Sequence, residues 1–475
     1  MNTPSIGPID STNILSYQNG EAAVTLLSID DAIERLGYGR FQVRVMIAAG
    51  LCFAADAMEV LLLTFLAVVL QAEWDLSSQE TAFLTGTVFI GATFGTLILG
   101  PLGDQVGRRP IFILAALLIS VFGVATAFCN DLFSLCLTRM VVGFGIGGLT
   151  VPFDILAEVL PTNQRSKNLL YIEYFWTAGT LLVPLFAYLA IGNGGDADGW
   201  RYFCVLCAIP CIVSAMLGTW LVPESPRWLV TVGQEERALE ILRQAATTNG
   251  LDANKVFPEG TWLQREDHPD ATMCDLFSPS WRRITIRLWI TWGGTMFLYY
   301  GTILAITLVF ANDNANDKKT LFEFDYQAIF VSCSAEFFGT AFCILLVDRV
   351  GRIPMQVISL LLGVISVMAM IFFAADGNNR SLLVGLAFFA RWFMMSLTCT
   401  LWISTAEILT TEIRTTGHSA ANAVARIGGF LAPFCVAQAS TPTLAMIMAG
   451  VAIFAGVALS GLPETTGKSM GVREK

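Results

Sequence analysis

The sequence predicts an all-α membrane protein of twelve transmembrane helices, arranged as two six-helix bundles in parallel repeat. Of its 475 residues 55% are apolar and 14% charged, against about a quarter charged in an ordinary soluble domain. A helix needs roughly 20 apolar residues to cross a bilayer core, where every backbone polar group must be satisfied within the helix. Twelve such runs lie near 42–70, 81–102, 111–129, 132–157, 169–192, 201–222, 284–310, 326–347, 354–375, 381–408, 417–438 and 442–462. The third observation is an internal repeat. Asp104-Gln-Val-Gly-Arg108 after the second run answers to Asp348-Arg-Val-Gly-Arg352 after the eighth. Glu158 precedes Arg165 by seven residues, as Glu407 precedes Arg414, and Pro223-Glu-Ser closes the first half as Pro463-Glu-Thr closes the second.

These boundaries divide the chain into an N-terminal tail (1–41), a first bundle (42–222), a polar linker (223–283), a second bundle (284–462) and a C-terminal tail (463–475). The linker carries Gln234-Glu-Glu-Arg-Ala-Leu-Glu-Ile-Leu-Arg243, an amphipathic helix with Ala238, Leu239, Ile241 and Leu242 on its apolar side. It is expected to lie on the membrane surface. Lys and Arg gather in alternate connections, among them Arg35, Arg40, Arg44, Arg108, Arg109, Arg165, Lys167, Arg349, Arg352, Arg414, Lys468 and Arg473. The opposite set holds little beyond Arg201, Lys318, Lys319 and Arg380. Positive charge collects on the cytoplasmic side, so both termini and the linker are expected there.

Composition excludes several classes of function. With 38 acidic and 28 basic side chains the net charge is -10, the wrong sign for a nucleic-acid surface. The two histidines, His268 and His418, lie far apart, and the eleven cysteines show no ligand or disulfide spacing. Cys204 and Cys207 start an apolar helix and read as packing. No metal, cofactor or catalytic constellation is expected, so the chain is not read as an enzyme. Gly143-Phe-Gly-Ile-Gly147 follows no strand, so it reads as close helix packing rather than a phosphate loop.

An ionisable group at mid-membrane costs at least about 2.5–3.5 kcal/mol, so each should face a cavity or a partner. Candidates for solute contact are Glu173, Trp176, Tyr299, Tyr300, Glu336, Arg391, Asn422 and Arg426. Aromatics can wall a cavity and stack on a ring or cation, and arginine offers a fork to a carboxylate. Asp56 and Glu59, three residues apart, are expected on one face of the first helix. A carboxyl there can load and release a proton as the cavity opens and closes.

Gly100-Pro-Leu-Gly-Asp104-Gln-Val-Gly107-Arg108-Arg109 resembles the loop signature of the major facilitator superfamily. Arg139-Met-Val-Val-Gly143, Pro223-Glu-Ser-Pro-Arg227-Trp228 and Trp402-Ile-Ser-Thr-Ala-Glu407 resemble its sugar-porter branch. Ile29-Asp-Asp-Ala-Ile-Glu34 with Ala55-Asp56-Ala-Met-Glu59 is similar to synaptic-vesicle-protein-related and niacin-transporter-like members. The resemblance implies a secondary transporter in which Asp56 and Arg139 form the proton-coupling pair, with Glu59 a second carrier. It also implies that Asp104, Arg108, Arg109, Glu158, Arg165, Asp348, Arg352, Glu407 and Arg414 form a gate latching the halves together. The seventh helix, reading Thr291-Trp-Gly-Gly-Thr-Met-Phe-Leu-Tyr299-Tyr300, lacks the paired glutamine of hexose carriers, so another solute is expected.

The function expected is alternating-access transport, with a proton, of a small polar organic solute such as a niacin-like carboxylate or an organic ion. A non-transporting solute sensor on the same scaffold and an uncoupled carrier are the other readings. A monomer in the plasma membrane or an intracellular vesicle membrane is expected.

Overall fold

The computed structural model describes residues 14–15, 24–162, 165–192, 198–265, 272–312, 323–375 and 379–466. His268, Lys318, Lys319, Lys468 and Arg473 lie outside them. Twelve helices are long and apolar enough to cross a membrane. The first six spans are Arg40–Glu73, Ser78–Val106, Arg108–Thr126, Leu132–Val159, Asn168–Ala190 and Gly199–Leu221. The second six are Arg282–Val309, Tyr326–Val350, Arg352–Ala374, Arg380–Ile408, Thr416–Gln438 and Thr441–Ser460. The fourth breaks at Gly148 and Leu149 into Leu132–Gly147 and Thr150–Val159, where Pro152 has no N–H to give the Gly148 carbonyl.

The two halves repeat one packing order. The first span packs on the fifth and sixth, the second on the fourth and the third on the sixth; the seventh packs on the eleventh and twelfth, the eighth on the tenth and the ninth on the twelfth. Between halves, the second meets the eleventh and the fifth meets the eighth, the pairings a pseudo-twofold axis would exchange. Close approach within the first bundle depends on glycine. A Cβ on Gly143 would stand 2.0 Å from the Val88 carbonyl oxygen, and one on Gly147 2.3 Å from the Thr96 nitrogen. The glycine run therefore serves helix packing.

The hydrophobic cores divide unevenly between the two ends of the bundles. On the side away from the linker, one core runs through both halves, joining Phe65, Trp200 and Phe203 to Ile303, Phe310 and Phe324. Thr64 and Thr307 meet there with hydroxyls 3.0 Å apart. On the linker side each half keeps its own core, one built on Phe112, Ile155 and Leu242 and the other on Leu276, Leu409 and Leu459. The halves meet there in smaller patches, such as Leu170 against Cys343, Val347 and Cys399.

The linker helix does not lie free for a membrane surface. Glu235–Thr248 buries Ala238, Leu242, Ala245 and Ala246, and they join the core that holds Ile29, Ile33 and Leu36 of helix Ile29–Leu36. Strand Val24–Leu27 pairs in parallel with Thr261–Leu263. Asn249 Oδ1 accepts from the Phe41 N–H at 2.8 Å, and its Nδ2 donates to Gln42 Oε1 at 3.1 Å. The segment before the first span carries an apolar stripe of its own, which covers the face the sequence would have left for lipid.

Candidate functional site

A small cavity of about 50 Å³ lies between the halves, room for roughly three or four waters. The first half contributes Phe53, Asp56, Leu149, Thr150, Glu173 and Trp176 to its wall. The second contributes Trp292, Met296, Tyr299, Tyr300, Met395, Thr398, Trp402, Asn422, Ala425 and Arg426. Of the expected solute contacts, Glu173, Trp176, Tyr299, Tyr300, Asn422 and Arg426 come together here.

Glu336 and Arg391 do not line it. Both are buried, at 0% and 1% exposure, behind the Tyr299 hydroxyl. That hydroxyl accepts from Trp176 Nε1 at 2.7 Å and donates to Glu336 Oε1 at 3.0 Å. Thr180 donates to Glu336 Oε2 at 2.9 Å, and Arg391 Nε stands 3.6 Å from Oε1. Hydroxyls from both halves close around the Glu336 carboxylate, whereas Arg391 donates through Nη1 to Cys333 Sγ at 2.5 Å and keeps Nε and Nη2 buried without a hydrogen-bond partner. Trp176–Tyr299 and Thr180–Glu336 are also hydrogen bonds from one half to the other.

The expected Asp56–Arg139 pair is not formed. Arg139 Nη1 lies 2.5 Å from Glu59 Oε2, and its Nε donates to Thr126 Oγ1 at 3.0 Å, all inside the first half. Asp56 turns to the cavity, with Oδ2 3.7 Å from Arg426 Nη2 across the gap between halves. Three residues advance a helix about 300°, leaving the two side chains some 60° apart, and here that angle separates a cavity from a bundle interior. Asp56 Oδ1 and Arg426 Nε are buried without a hydrogen-bond partner, while Arg426 Nη1 lies 3.5 Å from the Tyr300 hydroxyl.

Phe53, Trp292 and Trp402, which the sequence does not mark as site residues, also line the cavity, and His418 packs against Trp402 behind them. Trp402 packs on Phe153 of the first half at 5.3 Å, on Trp292 at 5.1 Å and on His418 at 4.6 Å between ring centroids. Trp292 Nε1 donates to Thr405 at 2.9 Å. This aromatic layer closes the cavity on the linker side. Aromatics inside apolar runs carry no sequence signal separating a wall from packing.

The charged loops form two matching clusters, each within one half. Arg108 reaches Asp104 at 2.8 Å, Glu158 at 3.3 Å and Asp154 at 3.8 Å. Arg352 reaches Asp348 at 3.0 Å and Glu407 at 2.8 Å. Arg109 donates to the Thr219 carbonyl at 2.5 Å. Arg165 lies 3.6 Å from Asp30, and Arg414 donates to the Leu409 carbonyl at 3.3 Å. The arginines seven residues beyond Glu158 and Glu407 thus leave those acids to Arg108 and Arg352. In this conformation none of these contacts joins the halves. Glu224 accepts from the N–H groups of Arg108 and Arg109 at 2.9 and 3.1 Å, and Glu464 from those of Arg352 and Ile353 at 2.9 and 2.8 Å. The acids of the repeated Pro-Glu motifs therefore cap the third and ninth spans. Although burial raises the Glu464 carboxyl, hydrogen bonds from Thr466 and those two backbone groups outweigh it and hold the group down at about 2.

Among the described residues no group of three or more His, Cys, Asp or Glu side chains could hold a metal ion.

A family model described as "Sugar (and other) transporter" matches residues 45–472. The Synaptic vesicle 2-related protein of Xenopus laevis is 32% identical over 461 residues, covering 93% of this chain and 82% of the relative. The Organic cation/carnitine transporter 7 of Arabidopsis thaliana is 28% identical over 489 residues, covering 94% and 96%. Among solved structures, a partially occluded inward-open conformation of the xylose transporter XylE from E. coli superposes with a TM-score of 0.72 at 19% identity, covering 90% of this chain and all of that one.

Proposed function

The chain belongs to the sugar (and other) transporter family, and from that premise we propose that it moves a small polar organic solute together with a proton by alternating access. The transporter class and the fold follow from the family; the solute and the proton are this reading's own. One observation carries it: Asp56 and Arg426, contributed by opposite halves, face each other across a cavity sealed on one side by a shared core and on the other by an aromatic layer. A rocking motion that separates the halves pulls this pair apart. A charge left alone in an apolar site is costly, so Asp56 takes up a proton when Arg426 withdraws. Glu59 and Arg139, sealed at 1% and 0% exposure, fix the field beside Asp56. With both termini and the linker on the cytoplasmic side, as the positive charges favour, the described state is closed to the outside.

Reconstituted protein in liposomes, with and without an inside-alkaline gradient, tests the reading. Saturable uptake accelerated by the gradient supports it. Ligand-induced thermal stabilisation without uptake of that ligand supports a sensor instead, and uptake insensitive to the gradient an uncoupled carrier.

A further inference from the structure

We infer that a cleft on the linker side of the first half binds a phospholipid of the adjoining leaflet, one whose headgroup is a single phosphodiester bearing a polyol ring, as in phosphatidylinositol. The cleft has a volume of about 720 Å³ and lies where the start of the third span, the end of the sixth and the linker helix meet. It stands apart from the cavity between the halves and does not depend on what that cavity carries. The linker helix Glu235–Thr248 turns one face to the N-terminal segment, through Ala238, Leu242, Ala245 and Ala246. A second face, with Arg237, Glu240, Ile241 and Gln244 grouped at one-turn spacing, lines the cleft. The third span starts and the sixth ends at this level, so the cleft lies at the polar edge of the membrane. Ile113, on its wall, begins a stripe that continues through Leu117 and Val121, one turn apart and exposed on the third span. Trp220, 82% exposed, marks the membrane interface on the sixth. An acyl chain can run down that stripe from a headgroup held in the cleft, which is what fits the site to a lipid.

Two guanidiniums set the charge of the headgroup. Arg109 gives Nη2 to the Thr219 carbonyl at 2.5 Å and keeps Nε buried without a partner, while Arg237 holds a 3.3 Å contact from Nη1 to Gln234 Oε1, with no salt bridge to either among the described residues. The Glu224 carboxylate on the same wall is already committed, since Oε1 accepts from the N–H groups of Arg108, Arg109 and Ser225 at 2.9, 3.1 and 2.9 Å. One phosphodiester charge between Arg109 and Arg237 therefore meets donors suited to phosphate, at a depth where basic pockets take lipid headgroups. Beyond them the wall changes character. Glu240 accepts from Gln244 Nε2 at 3.3 Å, and with Gln234 these side chains supply acceptors and amide donors matched to hydroxyls. The Trp228 indole gives its N–H to the Asp104 carbonyl at 2.7 Å, leaving its ring as an apolar wall for the C–H face of a polyol. A choline or ethanolamine headgroup would leave the amide donors unused, and additional phosphates would meet Glu240 as like charges. The bound lipid ties the linker helix to the third span.

The full chain, stripped of bound lipid and held in maltoside detergent, tests this with dioctanoyl phosphatidylinositol. The comparisons are the same acyl chains on phosphatidylcholine, phosphatidylethanolamine and phosphatidylinositol bisphosphate, and glycerophosphoinositol, which has no chains. Binding is read by thermal unfolding and by hydrogen exchange of Glu235–Thr248. Phosphatidylinositol is expected to raise the unfolding temperature and to slow exchange in that helix, whereas a general effect of added lipid would fall on the spans. Glycerophosphoinositol should bind about tenfold or more weakly, since it has no acyl chain to bury. Arg237→Gln, at an exposed position, is expected to leave the lipid-free unfolding temperature unchanged and to weaken binding roughly tenfold, with Arg237→Lys recovering part of it. Glu240→Lys should reverse the order of the inositol lipids, so that the bisphosphate binds the tighter. The inference is overturned if phosphatidylcholine or phosphatidylethanolamine matches phosphatidylinositol, if Arg237→Gln binds as the parent does, or if the bisphosphate binds the parent more tightly. It is overturned too if glycerophosphoinositol binds equally well, which would make the cleft a site for a soluble polyol phosphate.

Discussion

Arg139 is held by Glu59, one helical turn beyond Asp56, with Nη1 2.5 Å from Oε2 and both side chains at or below 1% exposure. That contact frees Asp56 for the cavity and makes Glu59–Arg139 a fixed part of the first half. Removing one partner leaves an uncompensated buried charge, so Glu59→Ala is expected to cost about 3–5 kcal/mol, while Glu59→Leu with Arg139→Leu costs far less. Thermal unfolding in detergent of the single and double variants measures the difference; equal losses would mean the pair carries no such penalty.

Tyr299 joins the halves through Trp176 and caps Glu336. Tyr299→Phe keeps the ring but strands Glu336 Oε1 and the Trp176 N–H, an expected loss of about 1–3 kcal/mol. Because Trp176 and Tyr299 sit on opposite halves, the variant should also change the maximal uptake rate more than the half-saturating concentration.

The second and fourth spans touch through backbone. Gly143→Ala places a Cβ 2.0 Å from the Val88 carbonyl oxygen, and the helices must part. The expected cost is about 1–3 kcal/mol of overpacking, seen as a lowered unfolding temperature, whereas alanine at Gly100, whose Cβ would meet nothing within 4 Å, should leave it unchanged.

Glu464 supplies a pH dependence of known sign. Its folded value, about 2, lies below its ordinary 4.5, so its contribution is complete above pH 4.5 and fades as pH falls toward 2. The unfolding temperature of Glu464→Gln should therefore trail the parent by a constant margin above about pH 5, and the margin should close below it. A margin that widened on acidification would contradict the assignment.

What the sequence made legible was whatever depends on length, composition and order: twelve spans, the repeat, and most of the cavity's polar wall. The halves' matched packing order, second on fourth and eighth on tenth, repeats what the offset between Asp104 and Asp348 implied. Rotation of each helix was not legible. A span apolar on all sides has no phase, so Asp56 and Glu59 could not be assigned to different neighbours, and Glu336 and Arg391 could not be known to lie together behind Tyr299, outside the cavity wall. Trp292 and Trp402 were hidden for the same reason. The Pro-Glu motifs were visible as a repeat, but their capping of the third and ninth spans depends on chain ends meeting across more than a hundred residues.

Alternating access requires the shared core opposite the linker to part in every cycle, and the Thr64–Thr307 contact at 3.0 Å gives a direct handle on it. Cysteines at both positions, in a chain otherwise cleared of reactive thiols, should cross-link on oxidation. Uptake into liposomes should then stop in proportion to the cross-linked fraction and return on reduction, while ligand binding measured in detergent persists. Full cross-linking with undiminished uptake would contradict the account.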